Sequence, residues 1–324
     1  MGFVAYALPG EKEWVCLKGA WLNLAEESSD IKGFLVSTFS GDTSVLTNIQ
    51  EVELNNDLIK DFIQTSSTTE NKETYLNNVD SLITELNNND YSKIVYSRSK
   101  FVHCDKSIVK VVASLLNEDV NTFRYVMKAP NHELWMGASP EVLLSQENGI
   151  GKSMALAGTQ KSTGKSLESY IWTKKEIDEH EYVVDFISGV FEASDLSFDK
   201  GERCTSLAGP VAHLKTNFTG ITPLKDLTQV LSSLHPTPAI CGIPRDTTKS
   251  RIIDIETRDR SYYTGLIGLI GEDTCNIFIN LRSMKKVSNG YELFVGGGIT
   301  KDSNSLSEWD ETELKSQTLM RLMM

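Results

Sequence analysis

Residues 262–299 constrain the fold most strongly, because they form apolar, strand-like runs joined by very short turns. The runs are separated by Glu272-Asp273-Thr274 and by Ser288-Asn289-Gly290. Asn-Gly readily adopts the positive φ angles of a hairpin turn, so the pattern predicts three antiparallel strands in a meander. No series of parallel βαβ units is recognisable, and we therefore expect antiparallel sheets.

The rest of the chain contains both helical and strand-like periodicities. The predicted strands cover residues 93–104, 123–128, 134–137, 142–145 and 154–157. The predicted helices cover residues 75–86 and 167–191, a segment opened by Thr222-Pro223 that ends near Leu234, and a last helix from Ser305 to the C-terminus. Residues 64–71 have the composition of a loop. Together these elements predict an α+β chain without internal repeats.

The charge balance restricts the partners of the protein. The chain has 32 Lys and Arg against 44 Asp and Glu, a formal charge of −12, which argues against a nucleic-acid or anionic-membrane surface. An anionic substrate would need a local cationic pocket. Five cysteines without a C-x-x-C pair predict a reducing compartment and no zinc site. The absence of a signal-type N-terminus and of long apolar runs predicts a cytoplasmic protein.

One carboxylate falls on the apolar face of the long predicted helix. Helical spacing aligns Trp172, Glu179, Val183, Phe186 and Val190. An unpaired buried carboxylate is costly, so the glutamate is expected to be neutralised, paired with a neighbouring lysine or bound to a cation.

The last helix carries a second acidic group. Glu308, Glu311 and Lys315 share one face of this helix by their spacing. Ser305-x-x-Glu308 also has the form of a capping box, which would give Glu308 a purely structural role. Glu311 has no such explanation. Carboxylates from two helices, without a Cys or His cluster, would suit Mg²⁺.

Two glycine-rich segments could bring backbone close to a ligand. Gly296, Gly297 and Gly298 stand between a strand and the last helix, although tight turning alone would explain them. The run from Gly158 to Gly164 has five residues between its glycines, where a phosphate-binding P-loop has four. We interpret this second run as a solvated loop.

The chain resembles the chorismate-utilising enzymes, a family that includes isochorismate, salicylate, anthranilate and aminodeoxychorismate synthases. The matching segments are SKIVYSR from Ser92, GASPEVLL from Gly137, ALAGT from Ala155, KEIDEHEYVVDFI from Lys175, LHPTPAICGIPRD from Leu234, YYTGLIG from Tyr262, INLRS from Ile279 and GGGIT to SLSEWDETELK ending at Lys315. The resemblance implies one large α+β domain over residues 1–324, with two antiparallel sheets flanked by helices. Its motifs cover about residues 91–324, and residues 1–90 would be the N-terminal part of the same domain.

The resemblance also implies a ligand set. Glu179 and Glu311 match magnesium-binding glutamates, and Glu308 matches a neighbouring acid that acts through water. Arg282 matches an arginine that grips a substrate carboxylate, a task that suits its bidentate fork. The other residues expected at the substrate are Gly158, Thr159, His213, Thr237, Ala239, Tyr263, Gly296, Gly297 and Lys315.

The resemblance assigns the chemistry to two residues, Lys93 as general base and Glu141 as general acid. A lysine accepts a proton from water only in its neutral form, and the acid must be protonated when it meets its leaving group. The LHPTPAICG segment favours isochorismate synthesis, in which water adds at C2 of chorismate and the C4 hydroxyl leaves. Salicylate synthesis, which also eliminates pyruvate, and a non-catalytic binding protein are the alternatives. Isochorismate feeds both menaquinone and siderophore biosynthesis, and no obligatory protein partner is expected.

Overall fold

The computed structural model describes residues 1–24, 32–88, 90–164, 166–222 and 226–324. The strands are β1 (Gly2–Ala7), β2 (Val15–Asn23), β3 (Gly33–Ser37), β4 (Thr43–Glu51), β5 (Lys93–His103), β6 (Phe123–Lys128), β7 (Leu134–Ser139), β8 (Val142–Glu147), β9 (Ile150–Lys161), β10 (Ser197–Lys200), β11 (Cys204–Ala208), β12 (Val211–Thr222), β13 (Gly242–Ile243), β14 (Leu266–Ile270), β15 (Cys275–Ile279), β16 (Ser283–Val287) and β17 (Gly290–Ile299). The helices are α1 (Asn56–Lys60), α2 (Lys72–Asn87), α3 (Ile108–Leu116), α4 (Lys174–Ala193), α5 (Leu227–Leu234), α6 (Arg245–Ile255) and α7 (Ser305–Met320), with a 3₁₀ turn at Leu167–Ser169.

The strands form one continuous antiparallel network. Its order runs β13, β5, β17, β16, β7, β6, β1, β2, β4, β3, β14, β15, β8, β9 and β12, and both β10 and β11 pair with β12. The two halves of this network face each other across an aromatic core, in which the rings of Phe123 and Phe278 stack at 4.3 Å. The predicted α+β class with two antiparallel layers is confirmed, and the layers are halves of one hydrogen-bonded network.

Helices cover the outer faces of both layers. Apolar residues of α4 and α5 pack against β8, β9 and β12. On the other side, α1, α3 and the end of α7 pack against β1, β6, β7 and β17. Helices α2 and α6 cover β5. The apolar faces of these helices and strands thus bury one another, and residues between the layers and on α4 and α7 are left to form the site.

The predicted meander over residues 262–299 is wrong. Strands β14 and β15 form one hairpin, but β15 otherwise pairs with β8, whereas β16 pairs with β7 and β17 in the opposite layer. The chain crosses between the layers at Asn280, Leu281 and Arg282, and Arg282 has a positive φ of 47°. Four strands in two hairpins therefore replace the three expected, and the crossing places Arg282 between the layers.

Two predicted helix starts need correction. Helix α4 begins at Lys174 rather than residue 167, so Trp172 lies outside it, and the Thr173 N–H donates to the Glu176 carboxylate at 2.9 Å. Helix α5 is capped by Asp226, whose side chain accepts from Gln229 N, and the predicted start at Pro223 lies outside the described residues.

The capping box predicted at Ser305 is also wrong. The residue that caps α7 is Asn304, whose side chain accepts from Ser307 N at 3.1 Å. Ser305 is the first residue of the helix. Glu308 is therefore free of the structural role that its spacing suggested.

The other predicted strands and the helix over residues 75–86 are confirmed, with longer bounds for β7, β8, β9 and α2. The run that resembles a P-loop does not form a loop throughout, because residues 158–161 belong to β9. Lys165, near its end, lies outside the described residues.

The N-terminal strands join the rest of the network. Strand β1 pairs with β6, and β3 pairs with β14, so residues 1–90 contribute to both layers. Within the described ranges, the helices are too short or too polar to cross a membrane.

Candidate active site

A cavity opens beside the three-glycine run of β17, between the two layers and α7. The predicted site residues that line it are Glu141, Gly158, Thr159, Glu179, His213, Ala239, Tyr263, Arg282, Gly296, Gly297 and Lys315. Glu308 and Glu311 line an adjacent cleft that shares Thr159 with the cavity. Segments far apart in the sequence therefore bring the predicted residues to one place.

Lys93 and Glu179 meet at Gly298. Lys93 begins β5, is fully buried, and has its Nζ 3.1 Å from Glu179 Oε1. A Cβ at Gly298 would lie 2.2 Å from Glu179 Oε1 and 2.9 Å from Lys93 Cε, so a larger residue there would displace these two side chains. Burial alone would raise the pKa of Glu179, but the positive charges of Lys93, Lys175 and Lys315 outweigh it and lower that pKa.

The two acids of α7 each hold a lysine. Lys175 Nζ lies 2.6 Å from Glu308 Oε1, and Lys315 Nζ lies 2.7 Å from Glu311 Oε1. A Cβ on Gly297 would meet Glu308 Oε2 at 3.3 Å and Glu311 Oε1 at 3.5 Å, so both carboxylates flank the same backbone. Burial and the negative charge of Glu311 raise the pKa of Glu308 to about 7.

The donor set fits a hard divalent cation. Within the described ranges, no three acidic, His or Cys side chains are already gathered as a metal site. Three carboxylates from α4 and α7 nevertheless surround the Gly297-Gly298 backbone, and oxygen donors are what Mg²⁺ prefers. The repulsion between Glu308 and Glu311 is negative charge that a cation would relieve. Glu179, Glu308 and Glu311 are thus the residues that could hold Mg²⁺.

Arg282 presents a partly buried cation without a carboxylate partner among the described residues. It stands on the crossing between β15 and β16, and burial lowers its pKa to about 10. In the part of the chain that the structure describes, none of the ion pairs involves Arg282. Its guanidinium suits an anionic ligand.

His213 is hydrogen-bonded to a backbone carbonyl and lies beside the arginine. Its Nδ1 is 3.1 Å from Gly158 O, and its Nε2 is 3.4 Å from Arg282 Nη2. Burial, with the charges of Arg282 and Lys315, lowers the pKa of His213 to about 3, so the ring is neutral. A carbonyl only accepts, which assigns the proton to Nδ1 and directs the Nε2 lone pair at Arg282.

Glu141 is a buried acid in the turn between β7 and β8. Burial raises its pKa to about 8, against the opposing effect of Lys93 and Lys315. The turn is held to β15, since Ile279 N donates to Glu141 O at 3.1 Å. At neutral pH this carboxyl group is mostly protonated, as a general acid must be.

The remaining predicted residues have different surroundings. Lys315 Nζ donates to Gly296 O at 2.9 Å, which ties α7 to β17. Burial raises the pKa of Tyr263, so its hydroxyl stays protonated. Thr237 is buried outside the cavity lining, and its hydroxyl accepts from Ala239 N at 3.3 Å. Thr237 therefore shapes the turn that presents Ala239 to the cavity.

Two residues at the site, Lys175 and Gly298, were not predicted from the sequence. Lys175 stands four residues before Glu179 on α4, so helical spacing would have placed both on one face. Gly298 was noted only as part of a glycine run. A small residue is needed at Gly298 because Glu179 and Lys93 lie against it. These three residues come from three segments that no local pattern connects.

The chain belongs to the chorismate-binding enzymes, since it matches the model of that family over residues 23–324. Among curated relatives, it is 26% identical to the isochorismate synthase MenF of Haemophilus influenzae over 262 residues, covering 78% of this chain and 61% of the relative. It is 27% identical to the vibriobactin-specific isochorismate synthase of Vibrio cholerae over 269 residues, covering 76% of this chain and 66% of that protein. The match thus spans less than two thirds of either relative.

Solved structures share the fold. The isochorismate synthase MenF of Escherichia coli, described as menaquinone-specific, aligns with a TM-score of 0.83 at 19% identity, covering 100% of this chain and 89% of that one. A structure described as a 2,3-dihydroxybenzoate-specific isochorismate synthase, DhbC of Bacillus anthracis, gives a TM-score of 0.80 at 22% identity, covering 98% and 95%. At these identities the likeness establishes the architecture.

Proposed function

We propose that this protein is an isochorismate synthase, an isomerase that converts chorismate to isochorismate with Mg²⁺ as cofactor. The observation that carries the proposal is Glu141, a buried acid with a pKa of about 8 in the same cavity as Arg282. A protonated acid that shares a cavity with a cation lacking a carboxylate partner among the described residues suits a reaction in which an anionic substrate loses a hydroxyl group. The names of the curated relatives support the same activity.

Chorismate is a dianion, and the cavity offers a matching charge. The Arg282 guanidinium can bind one carboxylate through two parallel hydrogen bonds. His213 accepts from Arg282 Nη2 and would hold the guanidinium in one orientation. Mg²⁺ bound at Glu179, Glu308 and Glu311 would neutralise the other carboxylate of chorismate. It would also offset the negative charge of the glutamates, which in the metal-free protein stabilises the Lys93 ammonium.

Lys93 and Glu141 would perform the proton transfers. Neutral Lys93 accepts a proton from water as the water oxygen bonds to C2 of chorismate. The ring double bonds shift, the C4–O bond breaks, and Glu141 donates its proton so that the hydroxyl departs as water. One water enters and one leaves, so the product is an isomer of the substrate.

Isotope labelling tests this route directly. The purified protein is incubated with chorismate in ¹⁸O-water, with and without Mg²⁺, and the products are separated and identified by NMR and mass spectrometry. We expect isochorismate with ¹⁸O in its C2 hydroxyl, formed only with Mg²⁺. Salicylate with equimolar pyruvate would move the protein to the salicylate synthases. The absence of any Mg²⁺-dependent product would refute the enzymatic proposal.

A matched pair of variants tests the base. Lys93→Gln should reduce turnover by about 10²–10⁴-fold, the usual contribution of general acid–base catalysis. Lys100→Gln makes the same change seven residues along β5, at a lysine paired with Glu313 rather than with the site. The control should keep its turnover. Full activity in Lys93→Gln would remove the lysine from the mechanism.

A further inference from the structure

Three glutamates and three lysines form matched pairs at the proposed metal site. Lys93 and Lys315 have proposed roles in proton transfer and substrate binding. The third lysine, Lys175, has none, although its Nζ lies 2.6 Å from Glu308 Oε1. Glu308 is 2% exposed, so this ammonium is placed against a buried carboxylate. Such a contact strongly compensates the charge of the acid.

We propose that Lys175 is the internal counter-ion of the metal-free site, and that its ammonium must leave Glu308 when a divalent cation binds. The inference rests on the proposed metal-binding role of Glu308 and Glu311. In the metal-free protein the ammonium compensates a carboxylate that also experiences the charge of Glu311. Lysine and cation thus compete for the same oxygen atoms, and Lys175 lowers the affinity of the site for the metal.

The position of Lys175 permits this exchange. It lies in the first turn of α4, and its side chain is 24% exposed. Lys175 borders two clefts, one with Glu308 and Glu311 and the other with Asp178 and Asp302. A flexible lysine stem can move its ammonium from the first cleft to the second or to water. The side chain therefore has another acidic environment to occupy.

The adjacent residue supplies a matched control. Lys174 has the same charge on the same helical turn, but its side chain is 87% exposed and paired with Asp178. A methionine keeps most of the length of the lysine stem without its charge. Lys175→Met and Lys174→Met therefore change the net charge of the protein equally, and only the first removes the ammonium from Glu308.

Mn²⁺ binding measures the competition without relying on turnover. Mn²⁺ takes oxygen ligands like Mg²⁺, and the free ion is quantified by electron paramagnetic resonance during titration of each full-length protein. At about pH 8 we expect Lys175→Met to bind Mn²⁺ about tenfold more tightly than the wild type. The variant removes a positive charge that lies 2.6 Å from Glu308 Oε1 and competes with the cation, and such a neighbouring charge changes an ionic equilibrium by about this factor. Lys174→Met should bind like the wild type. Unchanged or weaker binding by Lys175→Met would refute the inference.

The same titration separates the two proposals. If the wild type shows no saturable Mn²⁺ binding, the metal-binding part of the proposed function fails and the inference fails with it. If the wild type binds and Lys175→Met binds equally well, the inference alone fails. Only tighter binding by Lys175→Met supports both.

A measurement on the wild type covers the case in which Lys175→Met does not fold. An amine-acylating reagent is applied with and without saturating Mg²⁺, and labelling at each lysine is quantified by mass spectrometry of peptides. Release from Glu308 should increase the labelling of Lys175 severalfold and leave Lys174 unchanged. Equal or reduced labelling of Lys175 with Mg²⁺ would contradict the exchange.

Discussion

Glu141→Gln separates the acid–base role of this residue from its shape. Glu141 is 2% exposed, and burial raises its pKa to about 8. Glutamine has nearly the same size but has no acidic proton to donate. We expect turnover to fall by about 10²–10⁴-fold, with substrate binding largely kept.

The same substitution has a calculable effect on stability. Because the pKa of Glu141 rises from 4.5 to about 8 on folding, the folded state binds the proton more tightly than the unfolded chain. The stabilisation from this group is complete below about pH 4.5 and is lost as the pH rises through about 8. Between pH 5 and pH 9, linkage at 1.36 kcal/mol per pH unit removes about 4 kcal/mol from the free energy of unfolding.

Urea unfolding at pH 5, 7 and 9 tests this magnitude in the metal-free protein. Glu141→Gln lacks the titration, so its free energy of unfolding should fall by about 4 kcal/mol less than that of the wild type over this range. Glu192→Gln, an exposed residue of α4, should follow the wild type. Parallel curves for Glu141→Gln and the wild type would show that the carboxyl group is not buried as described. In catalysis, kcat/KM of the wild type should decline above about pH 8.

Three further substitutions have defined outcomes. Arg282→Lys keeps a cation but loses the bidentate fork, so kcat/KM for chorismate should fall about 10- to 100-fold in steady-state assays. Gly298→Ala places a Cβ 2.2 Å from Glu179 Oε1, and calorimetric titration should show weakened Mg²⁺ binding; unchanged binding would contradict the packing. Phe278→Ala removes a ring stacked 4.3 Å from Phe123 between the layers, and urea unfolding should show a loss of about 3–5 kcal/mol.

Local patterns predicted about half of the helices and strands, and they did not predict β1–β4, β10–β13, α1, α3 or α6. They also could not predict the crossing between the layers. Residues 275–287 are largely apolar, so they suggested one continuous strand. The chain leaves the first layer at Asn280, which is fully buried and accepts a hydrogen bond from Tyr125 OH at 2.7 Å. An asparagine in an apolar run was an available signal. Strand β15 pairs with β8, whereas β16 pairs with β7. Both partner strands are more than a hundred residues away in the sequence, so local patterns could not reveal that the two strands separate.

The site was predicted from motifs, whereas its pairings required the structure. Helical spacing placed Glu179 on an apolar face and left open whether a lysine or a cation compensates it. The structure supplies Lys93 from β5, a partner distant in sequence. The spacing also suggested that Glu308 caps α7, but Asn304 performs that task and Glu308 holds Lys175. Such tertiary partners cannot be identified from spacing within one helix.

Under the proposed function, burial explains how a chain with a net charge of −12 can receive a dianion. The three glutamate–lysine pairs are each close to neutral, so they add little net charge to the cavity. Burial also keeps His213 neutral and Glu141 protonated near pH 7. Among the described residues that line the cavity, Arg282 is then left as the uncompensated charge. An ionised Glu141 would add a negative charge to the cavity that Arg282 also lines, so the burial that makes Glu141 an acid also preserves the attraction for the proposed substrate.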